Sequence, residues 1–297
     1  MNPFEIRRSE GRYDVATARE LFAKFGVVLL KQFLPAHTQE TLRAILEDEL
    51  RGAAARGSVL KLDQYPKADF PFGDILSLRG LDRFNHIFFD REVIELAKAL
   101  LDTGELVYWG DSNMQFGEAA RGFHKDNVDR LNPDGLDWQG SYDLIRCAFY
   151  LQDHSKHSGG LKIRLASHNI PNHLQGKICD IASEYGDLLL WNMRLTHSGN
   201  TRKLRLPFDV PLHPRLEQIV PLSLCRPEAL RRIGTFCSIG KAGPQLDRYI
   251  ARMNEREKDY KPYLQHARRE SEAAELARRY GVSLRLPAPY YGQLDVG

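Results

Sequence analysis

The stretch "GDLLLWNMRLTHSGN", residues 186–200, decides the fold. Gly186 and Asp187 give a turn signal, and the apolar residues after them read as a strand. His197 closes that strand directly before Ser198, Gly199 and Asn200, where a strand hands a side chain into the mouth of a barrel. Around it, from residue 105, lie further β-rich segments: "ELVYWGDSNMQF", "LIRCAFYLQD", "LKIRLASH" and "RRIGTFCSIG". Gly, Asp and Ser separate them, which points to a barrel or sandwich.

Helices flank this β-rich region. Asp14 caps a helix whose apolar positions Val15, Ala18, Leu21, Phe22 and Phe25 follow helical spacing, and Gly26 stops it. "VVLLKQFL" (27–34) reads as a strand, Pro35 breaks it, and "TQETLRAILEDEL" is helical. Asp90 opens another helix through Val93, Ile94, Ala97 and Leu100. The tail from about 244 to 280 is helical, with Leu246, Tyr249, Ile250 and Met253 on one face and Pro262 splitting it in two. The expected fold class is mainly β with flanking helices, one domain over 1–297. Residues 1–104 are its N-terminal support, 105–240 its β core and 241–297 a helical extension.

Composition bounds the function. The 297 residues are 42% hydrophobic, enough for a sizeable core, and the formal charge of +3 is too small to argue for nucleic acid. No apolar run is long enough for a membrane helix, and "MNPFEIRRSEGRYD" lacks the apolar centre of a secretory signal. Cys147, Cys179, Cys225 and Cys237 show no C-x-x-C spacing, so they read as buried thiols rather than a zinc or redox motif. The expectation is a soluble cytoplasmic protein, monomer or homodimer, acting on a small-molecule substrate.

In "RGFHKDNVDR" (121–130), His124 and Asp126 stand two apart and share one side of an extended segment. Alone the pair is a weak signal, since a loop salt bridge explains it equally. His197 supplies a third donor, and two histidines with one carboxylate leave three adjacent positions open on Fe(II). Zinc hydrolases use similar ligands, so the triad does not fix the metal. The competing histidines read differently: His154 and His157 as solvated turn residues, His168 as a turn residue or one backing a ligand. His37, His86, His173, His213 and His266 lack an acid on a neighbouring strand.

Three segments, "GFHKD", "YLQDHSKHSGGLKIRLASH" and "GDLLLWNMRLTHSGN", together resemble the phytanoyl-CoA dioxygenase family of Fe(II)/2-oxoglutarate oxygenases over roughly residues 105–240. "FGVVLLKQFL" looks like that family's N-terminal strand. The resemblance implies a double-stranded β-helix (jelly roll, cupin-like) barrel with helices on one sheet. It implies Fe(II) held by His124, Asp126 and His197, 2-oxoglutarate as cosubstrate, and O2. Succinate and CO2 would be co-products. Because related halogenases lack the acid, Asp126 favours a hydroxylase. The rival class is a non-redox metal-binding β-barrel or a zinc-type hydrolase.

The resemblance also implies an arginine at the start of the strand after His197, clamping the 2-oxoglutarate carboxylate. Here Phe208 stands where it is expected, and 201–230 reads as an inserted loop before "RRIGTFCSIG". Strand alternation selects Arg231 with Ile233 and Thr235 on the inner face; a one-residue slip selects Arg232, and Arg205 is a further candidate. Gln115 is expected on the cosubstrate. Asn113, Arg146 and Arg202 are expected on the substrate, Arg146 meeting either a substrate anion or an acidic neighbour.

Overall fold

The computed structural model describes residues 2–55, 76, 84–116, 122–208, 210–217, 219–227, 232–255 and 272–285. Its strands are β1 (Glu5–Ile6), β2 (Val27–Leu30), β3 (Leu106–Phe116), β4 (Leu144–Tyr150), β5 (Gly160–Arg164), β6 (Ile178–Ile181), β7 (Leu188–Asn192), β8 (His197–Thr201), β9 (Ile233–Gly240) and β10 (Val282–Leu284). Its helices are α1 (Val15–Phe25), α2 (Ala36–Ala55), α3 (Asn85–Phe88), α4 (Arg91–Leu101), α5 (Pro244–Glu255) and α6 (Glu272–Arg279). The strands make a seven-stranded sheet, β1-β2-β7-β4-β9-β3-β10, and a three-stranded sheet, β6-β5-β8. The fold is thus mainly β with flanking helices. No helix among the described residues is long and apolar enough to cross a membrane.

Alternation along the strands divides the core into layers. Ile145, Cys147 and Phe149 of β4 and Ile233, Cys237 and Ile239 of β9 pack with Phe88, Ile94 and Ala97 of the helices. Ala148, Tyr150, Trp191 and Phe236 face the other way and pack with Leu161, Ile163 and Ile181 of the smaller sheet. This register corrects the expected face of β9. Ile233 belongs to the helix-facing layer, so Arg232, Gly234 and Phe236 take the face between the sheets. Arg231 lies outside the described residues.

Local chemistry sets the element ends. Asp14 Oδ1 accepts the Ala16 and Thr17 amides at 2.9 and 3.3 Å, and Gly26 stops α1 at φ 77°. Asp90 caps α4 through the Glu92 amide. β2 is only four residues long, shorter than "VVLLKQFL" implied. It stops where Lys31 turns into the protein, its Nζ 2.5 Å from Asp187 Oδ2 and 3.0 Å from Glu184 Oε2, and where Gln32 takes φ 57°. The stretch 186–200 is likewise not one strand. β7 ends at Asn192, whose side chain accepts the Arg194 amide, and His197 opens β8 in the other sheet.

Strands β1, β6 and β10 carry no clear sequence signal because they are short. The tail folds in as α5, which buries Leu246, Ile250 and Met253 against Trp109, Tyr142 and Met193. Pro262 lies outside the described residues, and α6 leads into β10, parallel to β3. All four cysteines are free thiols, with Cys179 half-buried and the others buried.

Asp187 shows why "GD" opens β7. A Cβ at Gly186 would collide with the Leu34 carbonyl oxygen, and Asp187 accepts from Lys31, the Gln32 amide and the Glu184 amide. Asp187→Ala leaves Lys31 buried beside one exposed partner. We expect a stability loss of about 3 kcal/mol in urea unfolding, largely restored when Lys31→Met is added.

Candidate metal centre

Backbone pairing builds the centre. The segment at His124 lies antiparallel beside β8, where the His124 amide donates to the His197 carbonyl at 3.0 Å and the His197 amide returns the bond at 2.9 Å. Next to it the Asp126 amide donates to Met193 O. With this pairing His124 and Asp126 point to one side, and Lys125 between them points to the other. There Lys125 Nζ donates to Ser167 O and Arg194 O, both at 2.7 Å. Burial pushes the Lys125 pKa down to about 7, helped by the Arg194 charge. Lys125 thus fastens the segment to the turn at Ser167 and to the turn between β7 and β8.

One ligand atom each from His124, Asp126 and His197 lies within 4.8 Å of the others. His124 Nε2 is 3.8 Å from Asp126 Oδ1, and His197 Nε2 is 3.6 Å from Asp126 Oδ2. Each Nδ1 faces a carbonyl, Gly122 O for His124 at 2.9 Å and Leu195 O for His197 at 3.0 Å. A carbonyl only accepts, so Nδ1 carries the proton and Nε2 presents its lone pair to the centre. Burial lowers the His197 pKa to about 4 against the pull of Asp126, keeping the ring neutral, as a metal ligand must be. This donor set fits a divalent metal.

Arg146 meets acids rather than standing ready for a substrate anion. From β4 its Nη1 lies 3.2 Å from Asp126 Oδ2, its Nη2 2.7 Å from Asp111 Oδ2, and its Nε donates to Ser238 Oγ at 3.0 Å. Burial opposes its charge, but the two carboxylates overcome that and raise its pKa. Arg202 is also committed, its amide donating to Glu217 Oε1 and its guanidinium to Glu217 O. Arg205 stays exposed in the loop and donates to Cys225 O.

Arg232 is different. It is 3% exposed, its Nε donates to Gly159 O at 3.0 Å, and its guanidinium lies 5.5 Å from the Tyr150 ring centroid. Among the described residues no acid pairs with it. A Cβ at Gly199, two residues beyond His197, would sit 3.1 Å from its Nη2. A buried guanidinium without an acid is costly, and an anionic ligand would offset it. Nearby, Asn113 and Gln115 occupy the face between the sheets, opposite Phe236 and Gly234. Asn113 Oδ1 is buried with no hydrogen-bond partner.

Sequence reasoning missed several residues here. Asp111 enters the site through a bulge between Tyr108 and Ser112, which Gly110 inside a strand pattern could have signalled. Tyr249 reaches Asp111 from α5 at 3.1 Å, a contact no local pattern announces. His154, read as solvated, is 1% exposed. Its ring contacts Ser183 Oγ and Gln152 Nε2, and it would be crowded by a Cβ at Gly160. His168 is also buried, bonding to Ala23 O and packing over Gly26.

Against known proteins, no family model matches this sequence, and no curated protein matches it. Its fold is similar to solved structures. AviO1 from Streptomyces viridochromogenes Tue57 is 18% identical with TM-score 0.52, covering 78% of this chain and 98% of AviO1. HygX from Streptomyces hygroscopicus, with nickel and 2-oxoglutarate bound, is 15% identical with TM-score 0.50, covering 75% and 85%. EctD from S. alaskensis, with 2-oxoglutarate and 5-hydroxyectoine, is 14% identical with TM-score 0.51, covering 76% and 75%. At these identities the likeness is one of fold.

The buried histidines set an acid limit on stability. Burial first, then positive neighbours, lower His154 to about pH 3; burial lowers His168 to about 4. An unfolded histidine takes its proton near pH 6.5. The unfolded chain therefore binds more protons between those values, and stability falls as pH drops from 6.5 towards 4. Each ring contributes about 1.4 kcal/mol per pH unit. We expect urea midpoints of the metal-free protein to fall across this window, with a shallower slope in His154→Gln.

Proposed function

We propose that this chain is an Fe(II)- and 2-oxoglutarate-dependent dioxygenase that oxidises a small organic substrate, its ligands being His124, Asp126 and His197. The observation that carries the reading is Arg232, a buried cation without an acid among the described residues, whose Nη2 lies 3.1 Å from where a Cβ of Gly199, two residues past the ligand His197, would sit. A dicarboxylate chelating the metal at one end would reach such a cation at the other. HygX and EctD, similar in fold, were solved with 2-oxoglutarate, which supports the choice of dicarboxylate. The three-segment resemblance supports a place near the phytanoyl-CoA dioxygenases. The two-sheet arrangement supports reading 1–297 as one double-stranded β-helix domain with helical extensions.

In this reading His124, Asp126 and His197 hold the metal, and Arg232 clamps the cosubstrate in place of Arg231 or Arg205. When bound, the Fe(II) and 2-oxoglutarate pair supplies oxidative decarboxylation that activates O2, releasing succinate and CO2. The protein's own work is ligation, orientation and exclusion of water. The Trp191 ring, 5.7 Å from that of His197 and at 61° to it, covers that ligand with apolar surface. Gln115 is placed for the cosubstrate and Asn113 for the substrate. Because Arg146 is held by two acids and the Arg202 guanidinium by the Glu217 carbonyl, we infer a substrate bound chiefly by hydrogen bonds and packing. Retention of Asp126 favours hydroxylation over halogenation.

A zinc-type hydrolase or non-redox metal protein would use the same donors but leave Arg232 without a role. Anaerobic addition of Fe(II) and then 2-oxoglutarate distinguishes the two. We expect a weak visible metal-to-ligand charge-transfer band, absent in His124→Ala. Arg232→Ala should weaken the 2-oxoglutarate titration about 30-fold or more, while Arg205→Ala leaves it unchanged. Stoichiometric iron without a band would overturn the proposal.

A further inference from the structure

The metal-ligand carboxylate is held by a chain of contacts that ends on the C-terminal helix. Arg146 Nη1 contacts Asp126 Oδ2 at 3.2 Å. The other side of the guanidinium is fixed by Asp111 Oδ2 at 2.7 Å and Ser238 Oγ at 3.0 Å. Asp111 Oδ2 in turn accepts from the Tyr249 hydroxyl at 3.1 Å. The tyrosine is anchored in α5, its ring 5.7 Å from Trp109 and edge-on to it. The side chains of Arg146, Asp111 and Asp126 are 11%, 8% and 13% exposed, so little solvent competes with these contacts, the one to Asp126 being an ion pair rather than a hydrogen bond.

A guanidinium beside a metal-binding carboxylate is unfavourable on charge alone, since it repels the dication and draws density from its ligand. Asp111 offsets the charge but does not explain the contact with Asp126. Geometry does. A carboxylate binds a metal through one oxygen or through both. Binding through both would close one of the three positions that a chelating cosubstrate and O2 require. An arginine holding one oxygen leaves only the other for the metal.

We propose that Arg146, oriented by Asp111, Ser238 and the α5 hydroxyl of Tyr249, is a positioning residue that restrains Asp126 to one-oxygen ligation and so keeps the third metal position open. The inference rests on the metal reading above, but it concerns how the site is held rather than which reaction it performs. It makes α5 part of the metal centre's support, since one of its hydroxyls sets the acid that orients Arg146.

The test uses Mn(II) as the metal probe on the full chain, reading both its dissociation constant and the water-proton relaxivity of the complex. For Arg146→Met we expect relaxivity to fall by about one third as one of three open positions closes. Mn(II) affinity should rise rather than fall, because a repelling charge is lost and a second carboxylate oxygen joins the metal. Tyr249→Phe removes one hydroxyl without touching Asp126 and should shift both readings the same way by less. Arg146→Lys keeps the charge but cannot grip both acids as a fork, so it should not restore relaxivity. Restoration by lysine would mean that Arg146 only balances charge, and would overturn the proposal. So would wild-type affinity and relaxivity in both Arg146→Met and Tyr249→Phe. If Arg146→Met does not fold, Tyr249→Phe and Arg146→Lys decide the matter. Wild-type protein that binds no Mn(II), like His197→Ala, would instead overturn the metal reading itself.

Discussion

His124 and His197 exchange both of their backbone hydrogen bonds, and the arrangement of the site depends on that exchange. Two residues paired in this way sit directly opposite each other, and their side chains emerge on the same side. The two imidazole centroids are consequently 4.4 Å apart. Asp126 follows His124 by two residues and returns to that side, which completes the triad without any long-range search by side chains. The same pairing sends Lys125 the opposite way, where two carbonyls receive it. A slip of one residue would exchange the ligands for the lysine.

Around this centre the interior holds several charges, and their partners explain what each does. Lys31 is neutralised by Asp187, Lys162 by Glu217, and Arg146 by Asp111 and Asp126. Arg194 spreads its donors over the carbonyls of Asp137 and Gly140 and stacks near Trp138 and Tyr142. Such arrangements offset desolvation but add little net stability, so they chiefly fix geometry. Arg232, like Arg194, meets a carbonyl and a ring rather than an acid, and what sets it apart is its place beside Gly199, two residues past His197.

The loop after β8 follows the same logic. Lys162 and Lys203 pair with Glu217 and Asp180, and Arg202 caps Glu217, so the loop is fastened to the smaller sheet through Lys162 of β5 and Asp180 of β6. Lys162 alternates with Leu161 and Ile163, which face the inner layer, and therefore points away from it. Arg232, beyond this loop, lies beside Gly199 of β8.

Much of the fold was legible in the chain because its signals are local. Capping by Asp14 and Asp90, the stop at Gly26 and the apolar strands follow from the preferences of a few neighbouring residues. The two-residue spacing of His124 and Asp126 is local as well, as is the apolar face of α5. The face taken by Arg232 was misread because alternation gives two faces without saying which is inner. Only packing of Ile233 against the helices decides that. Asp111, Tyr249 and the burial of His154 stayed hidden for a related reason. Each acquires its role from a partner distant in sequence, and a bulge, a returning helix or a crossing loop brings the two together. The sequence by itself determined which donors the protein owns and the local spacing that lets two of them act together. The tertiary structure alone decided which charges would be buried and what each would meet, because desolvation and pairing exist only once separate segments are packed.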